Sequence, residues 1–153
     1  MAHVRKQLRD AVALAVTGLT STGSRVYESR SLPLSAAATE LPALCVYARQ
    51  DVPDYADAAM GARGTVLRVL ELHVQGYYKA ADGPGVEEGL DAIAEQVETA
   101  VFVDPTFGGK CIWTRLGPQV LDVDAEGDQT LGVIDMVFEL LYRTAEGAPG
   151  TAI

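Results

Sequence analysis

At 153 residues, with 48% hydrophobic side chains, the chain is the size of one domain and holds enough apolar residues to bury a core by itself. Its 21 acidic and 12 basic residues give a formal charge of −9 and a pI near 4.6, the reverse of the footprint that tight phosphate binding needs. No run approaches the ~18 to 20 apolar residues that span a bilayer, and the start MAHVRKQLRD lacks the apolar stretch of a signal peptide. A soluble protein made inside the cell is expected, with Cys45 and Cys111 as small buried hydrophobes in a reducing cytoplasm.

Apolar residues at Val4, Leu8, Ala11, Val12, Ala15 and Leu19 follow three-four spacing and predict a helix over residues 2–18, with Gly18 near its C-cap. Short β-like runs follow at Arg25–Glu28 and Leu44–Arg49, separated by the Pro-punctuated SLPLSAAATELP. The segment DVPDYADAAMGARG, residues 51–64, reads as a loop. TVLRVLELHVQGYY, residues 65–78, is the clearest strand and reads as a central one. In it Leu70, Leu72 and Val74 share one parity, and Glu71, His73 and Gln75 share the other.

After the turn ADGPG, apolar Val86, Leu90, Ile93, Val97 and Val101 predict a second helix over residues 85–102. Glu87, Asp91, Glu95 and Glu98 form an acidic stripe on its opposite face. CIWTRLGPQVLDVD and TLGVIDMVFELLYRT then read as two strands joined by the polar turn AEGDQ. The order αβββαββ predicts an α+β fold, an antiparallel or mixed sheet of about five strands with two helices on one face. Residues 1–145 form the expected domain, and 146–153, EGAPGTAI, a flexible tail.

Chemistry is hard to place on this pattern. His3, His73, Cys45 and Cys111 are scattered without metal-ligand spacing. Asp122, Asp124, Glu126, Gly127 and Asp128 imitate the start of a calcium loop, but Val133 stands where the closing carboxylate belongs. Gly83, Gly85 and Gly89 lie where a phosphate cradle begins, yet Asp82, Glu87 and Glu88 repel anions and no Lys-Ser/Thr pair follows. No nucleophile elbow is present, and no catalytic residue, cofactor or metal site is assigned. The acidic stripe does coexist with arginines on other elements, Arg49, Arg63, Arg68, Arg115 and Arg143. On a monomer these charges serve solubility; in a cyclic oligomer an acidic patch and a separate basic one suit a heterologous contact.

VRKQLRDAVALAVTGL, the TGSRVYESR and LPALCVY strands, LRVLELHVQGYYKA, GLDAIAEQVETAV, FGGKC and LGVIDMVFELLYRT together resemble the tail terminator (minor tail protein U-like) proteins of siphophages. The resemblance runs from Val4 to Thr144 in the same element order and rests on short phrases such as LDAIAEQVE. It implies a structural, non-enzymatic virion protein at the head-proximal end of the tail. Such a subunit forms a hexameric ring, caps the tail tube, stops its polymerisation and meets the head-side connector. DNA would pass through the acidic lumen without specific binding.

On that picture Glu87, Asp91, Glu95 and Glu98 form a subunit contact or line the lumen, with Arg68, Arg115 and Arg143 as partners. The loop around Pro53, Tyr55, Asp57 and Met60 would order on the tube. Another neck, head-closure or tail-completion protein, a small-molecule-binding α+β domain and a monomeric adaptor remain open alternatives.

Overall fold

Helix α1 spans Val4–Ala15 and buries Val4, Leu8 and Val12, as its spacing requires. His3 caps it, its Nδ1 accepting the Arg5 N–H at 3.0 Å. The helix stops short of the expected Gly18. Thr17 Oγ1 bonds back to the Ala13 carbonyl at 2.6 Å, and Gly18, at φ +87°, opens a turn closed by its N–H on the Gly23 carbonyl. That glycine serves the turn rather than the cap. This computed structural model describes residues 2–28, 41–55, 64–126 and 129–153.

The strands are β1 (Val26–Tyr27), β2 (Ala43–Asp54), β3 (Thr65–Ala80), β4 (Trp113–Glu126), β5 (Gln129–Ala145) and β6 (Ala148–Ala152), with α2 (Gly83–Val101) between β3 and β4. They form one open six-stranded sheet in the order β1-β2-β3-β5-β4, with β6 also on β5. β1 runs parallel to β2 and all other pairs are antiparallel, so the sheet is mixed and the fold α+β, with one strand more than the sequence pattern suggested. The extra strand comes from the expected flexible tail. Gly147, at φ +78°, turns the chain back on β5, where the Ile153 N–H reaches the Arg143 carbonyl and Gln7 Nε2 of α1 donates to the Gly150 carbonyl at 2.9 Å. EGAPGTAI has little strand preference to announce such a strand; the ladder to β5, the bond from Gln7 and the packing of Ala152 on the core hold it.

Leu70 pairs with Leu140, Leu72 with Phe138 and Val74 with Met136 across β3 and β5, one parity on both strands. These residues join the buried faces of α1 and α2 in one apolar cluster. Each such side chain removed from water contributes about 1.5–3 kcal/mol. α2 begins at Gly83, two residues before the position read from the sequence, because Asp82 caps it by accepting the Gly85 N–H at 2.8 Å and Pro84 suits the first turn.

Close seating of α2 depends on Gly132 in β5, where an added Cβ would fall onto Val86 Cγ1 and lie 2.9 Å from Leu90 Cδ1. Gly132→Ala is therefore expected to cost about 1–3 kcal/mol, because both neighbours are buried and cannot swing away. Chemical denaturation measures this, and an unchanged midpoint would show that α2 sits more loosely.

A bulge between Ala48 and Gln50 shifts the register of β2 against β3. Ala48 faces Leu72 before it and Asp51 faces Leu70 after it, so the shift turns the Asp51 carboxylate to the core side of the sheet. Residues Asp51–Asp54, expected in a loop, thus extend the strand. Their Pro and Asp content argued against strand, but the ladder from Asp51↔Leu70 to Asp54↔Leu67 overrides that local preference. Pro53 is tolerated because β1 reaches only Leu44 and Cys45, leaving that side of β2 without a described neighbour.

Candidate functional site

The acidic stripe on α2 is laid out as its spacing predicts. Glu87, Asp91 and Glu95 are exposed and carry no ion pair among the described residues, whereas Glu98 is half-buried and accepts a hydrogen bond from Gln119 Nε2 of β4. Gln119 thereby ties α2 to the outer strand. The same helix start leaves no anion cradle, because the Gly85 N–H is already taken by Asp82.

None of the expected arginine partners meets that stripe within the chain. Arg68 turns to the core side, its Nη1 3.6 Å from Asp51 and its Nε donating to Thr144 Oγ1 at 3.3 Å. Arg115 lies over the Trp113 ring, 4.2 Å from its centroid, and opposite Glu139 on the outer face. Arg143 sits half-buried opposite Leu67. In the expected tube-docking loop, Pro53 belongs to β2 and faces Arg68, and Tyr55 lies just past the strand and is exposed. Asp57 and Met60 lie outside the described residues, as do Gly127 and Asp128 of the calcium-loop imitation, whose Asp122 and Asp124 stand in β4.

Two polar clusters were not visible in the sequence. The first centres on Asp51, whose side chain is only 4% exposed. Its Oδ2 accepts the Tyr142 hydroxyl at 2.6 Å and lies 3.6 Å from both Arg5 Nη1 and Arg68 Nη1. The carboxylate thus pins α1, β2, β3 and β5 at one point. Beside it Arg5, Arg9, Ala48, Arg49, Gln50 and Asp51 line a cleft of about 270 Å³, with Arg9 also 3.6 Å from Glu28 and Arg49 3.5 Å from Glu71.

The second cluster lies on the sheet face away from the helices. His73 is buried, with Nδ1 2.8 Å from Asp135 and Nε2 2.8 Å from Glu71, and its ring stacks on Tyr47 at 5.1 Å between centroids. Gln75 donates to the Tyr47 hydroxyl and accepts from the Tyr77 hydroxyl, both at 2.9 Å. The polar parity Glu71, His73, Gln75 therefore forms a closed network rather than a wetted face. Among the described residues no cluster of His, Cys, Asp and Glu is arranged to hold a metal.

Burial pushes the Tyr77 hydroxyl up to about 12, and it pushes Tyr142 up as well, assisted there by the bond to Asp51. Both folded values exceed the unfolded value near 10, so the neutral rings stabilise the fold fully below that pH. Stability is expected to fall as pH rises from about 10 towards 12, since the unfolded chain ionises first. Thermal melts across that range test it, and Tyr77→Phe should flatten part of the slope. The Cys111 thiol is also pushed up, by burial first.

The turn from α2 to β4, which contains FGGKC, is closed by Asp104, whose carboxylate accepts the Thr106 hydroxyl and the Thr106 and Gly108 N–H groups. Those bonds hold its carboxyl below the usual range. Phe107 is buried at φ +48°, followed by Gly108 and Gly109 at +72° and +81°. This phrase is a structural plug rather than a ligand loop. Among the described residues no helix is long and apolar enough to cross a membrane.

No family model and no curated protein matches the chain. Among solved structures it is similar to a chain from the virion of a native gene transfer agent particle, at 16% identity over 93% of this chain and 92% of that one, with a TM-score of 0.47.

Proposed function

We propose that the chain is a structural virion subunit, a ring-forming tail terminator that caps the tail tube, stops its growth and offers a joining surface to the head-side connector. The observation that carries this reading is the outer strand β4. It is 14 residues long, stands at the end of the sheet, and exposes Leu116, Val120, Leu121 and Val123. A long apolar edge left in water is a template for association, and a subunit built to assemble covers it.

The same strand carries restraints against uncontrolled pairing. Pro118 stands in the bulge between Leu116 and Gln119, and Asp122 and Asp124 place charge along the exposed part. Those are the features of an edge meant for one partner. The resemblance of residues Val4 to Thr144 to tail terminators supplies the kind of assembly, and the reading requires no cofactor and no bond-making step. An acidic chain also suits a passage for DNA, whose phosphates gain no counterion release from it.

Tube protein of the same phage, polymerised with and without this chain, tests the reading by electron microscopy. Tubes of limited length with the chain at one end are expected. Tubes of unchanged length with the chain left in solution would overturn it.

A further inference from the structure

We infer that copies of this chain associate head to tail, the α2/β4 end of one copy seating on the α1/β2 end of the next. This specifies the copy-to-copy contact of the ring proposed above and rests on that reading. The topology places two unlike surfaces at opposite ends of one sheet. α1 packs over β2, α2 packs over β3, β5 and β4, and the order β1-β2-β3-β5-β4 sets β2 and β4 on opposite sides of the central pair.

The charges at the two ends are complementary. On the outward face of α2, whose Glu98 reaches Gln119 of β4, Glu87, Asp91 and Glu95 recur every fourth residue over about 12 Å of helix. They are exposed and without ion pairs among the described residues, with Glu95 also lining the hollow beside Gly18, Leu19 and Thr20. At the β2 end the cleft beside Asp51 is walled by Arg5, Arg9 and Arg49, and the Arg5 and Arg49 side chains are 47% and 62% exposed. Their contacts to Asp51, Glu28 and Glu71 are 3.5 to 3.6 Å long. Each guanidinium has five N–H donors, so capacity is left for a further carboxylate.

Apolar exposure repeats the match. Val120 and Leu121 are exposed on β4, and Val52 and Tyr55 are exposed on and just beyond β2. Apolar cover then supplies affinity, while the charges set the register and direction of docking. Because the two surfaces differ, the contact is heterologous, and repeating it leads to a closed ring or an open filament rather than a two-fold dimer.

A paired charge exchange tests this on the full chain. Asp91→Lys with Glu95→Lys reverses the acidic end, and Arg49→Glu reverses the basic end. Light-scattering mass over a concentration series is expected to show association weakened roughly tenfold or more in each variant alone. An equimolar mixture should regain the wild-type mass, since alternating copies restore a Lys–Glu match at one junction and keep the native match at the next.

Circular dichroism melts confirm that the variants are folded, and weakening of wild-type association at high salt is a second readout free of substitutions. Variants that both keep the wild-type mass, or a folded mixture that fails to recover it, would overturn this contact and leave the ring reading standing. A wild-type chain that stays monomeric at every concentration and on added tube ends would overturn the contact, whereas tube capping judges the ring reading separately.

Discussion

Replacing Asp51 with alanine is expected to destabilise the fold by about 3–5 kcal/mol, which for a chain of this size lowers the melting temperature by roughly 6–20 °C. The reason is geometric. Asp51 is nearly enclosed, takes the hydroxyl of fully buried Tyr142 at 2.6 Å and balances Arg5 and Arg68 from two other elements. Removing it leaves a buried hydroxyl without its acceptor and a half-buried guanidinium without its counter-charge, and no water-exposed route repairs both. Tyr142→Phe separates the two contributions, because it keeps the ring packing and removes only the hydroxyl, at about 0.5–1.5 kcal/mol. A loss below 1 kcal/mol for Asp51→Ala would show that the arginines find other partners.

His73→Leu is expected to cost about 2–4 kcal/mol, although leucine is more apolar and fills similar space. The imidazole stands between Asp135 and Glu71, 2.8 Å from each, and stacks on Tyr47, whose hydroxyl accepts from Gln75, which in turn accepts from Tyr77. Leucine leaves two carboxylates facing each other across an apolar group. Adding Asp135→Asn and Glu71→Gln to His73→Leu should recover part of the loss by removing the stranded charges. An unchanged melting temperature in the single variant would mean that water already serves those carboxylates.

These two clusters mark where the sequence was legible and where it was not. The apolar faces of α1 and α2 and the alternation of β3 and β5 could be read directly, because burial on one face imposes a period on the chain. Leu70, Leu72, Val74, Met136 and Phe138 stand in the core as that period requires. Asp51 was hidden because a single-residue bulge reversed the parity of β2, and a run such as DVPD carries no local mark of that shift. For His73 only the parity shared with Glu71 and Gln75 was legible, because alternation reports which face a side chain takes, not whether partners on neighbouring strands close over it. β6 was hidden for the opposite reason, since APGTA has little strand preference and depends on β5 and Gln7.

The acidic stripe on α2 was correctly placed, but its partners could not be. Spacing along a helix is fixed by its pitch, whereas the arginines come from separate elements whose relative positions only the fold decides. Arg68 is spent inside the molecule and Arg115 lies on Trp113, whereas among the described residues Arg5, Arg9 and Arg49 gather in one cleft that offers a basic surface to a partner.

The most direct test of the proposed ring is the native mass of the full chain, measured by light scattering from low to high protein concentration and on added tail tube. A species of six copies of the 16.2 kDa chain is expected, alone or once tube ends are present. A mass of one chain under every condition, with tube ends left bare, would contradict it.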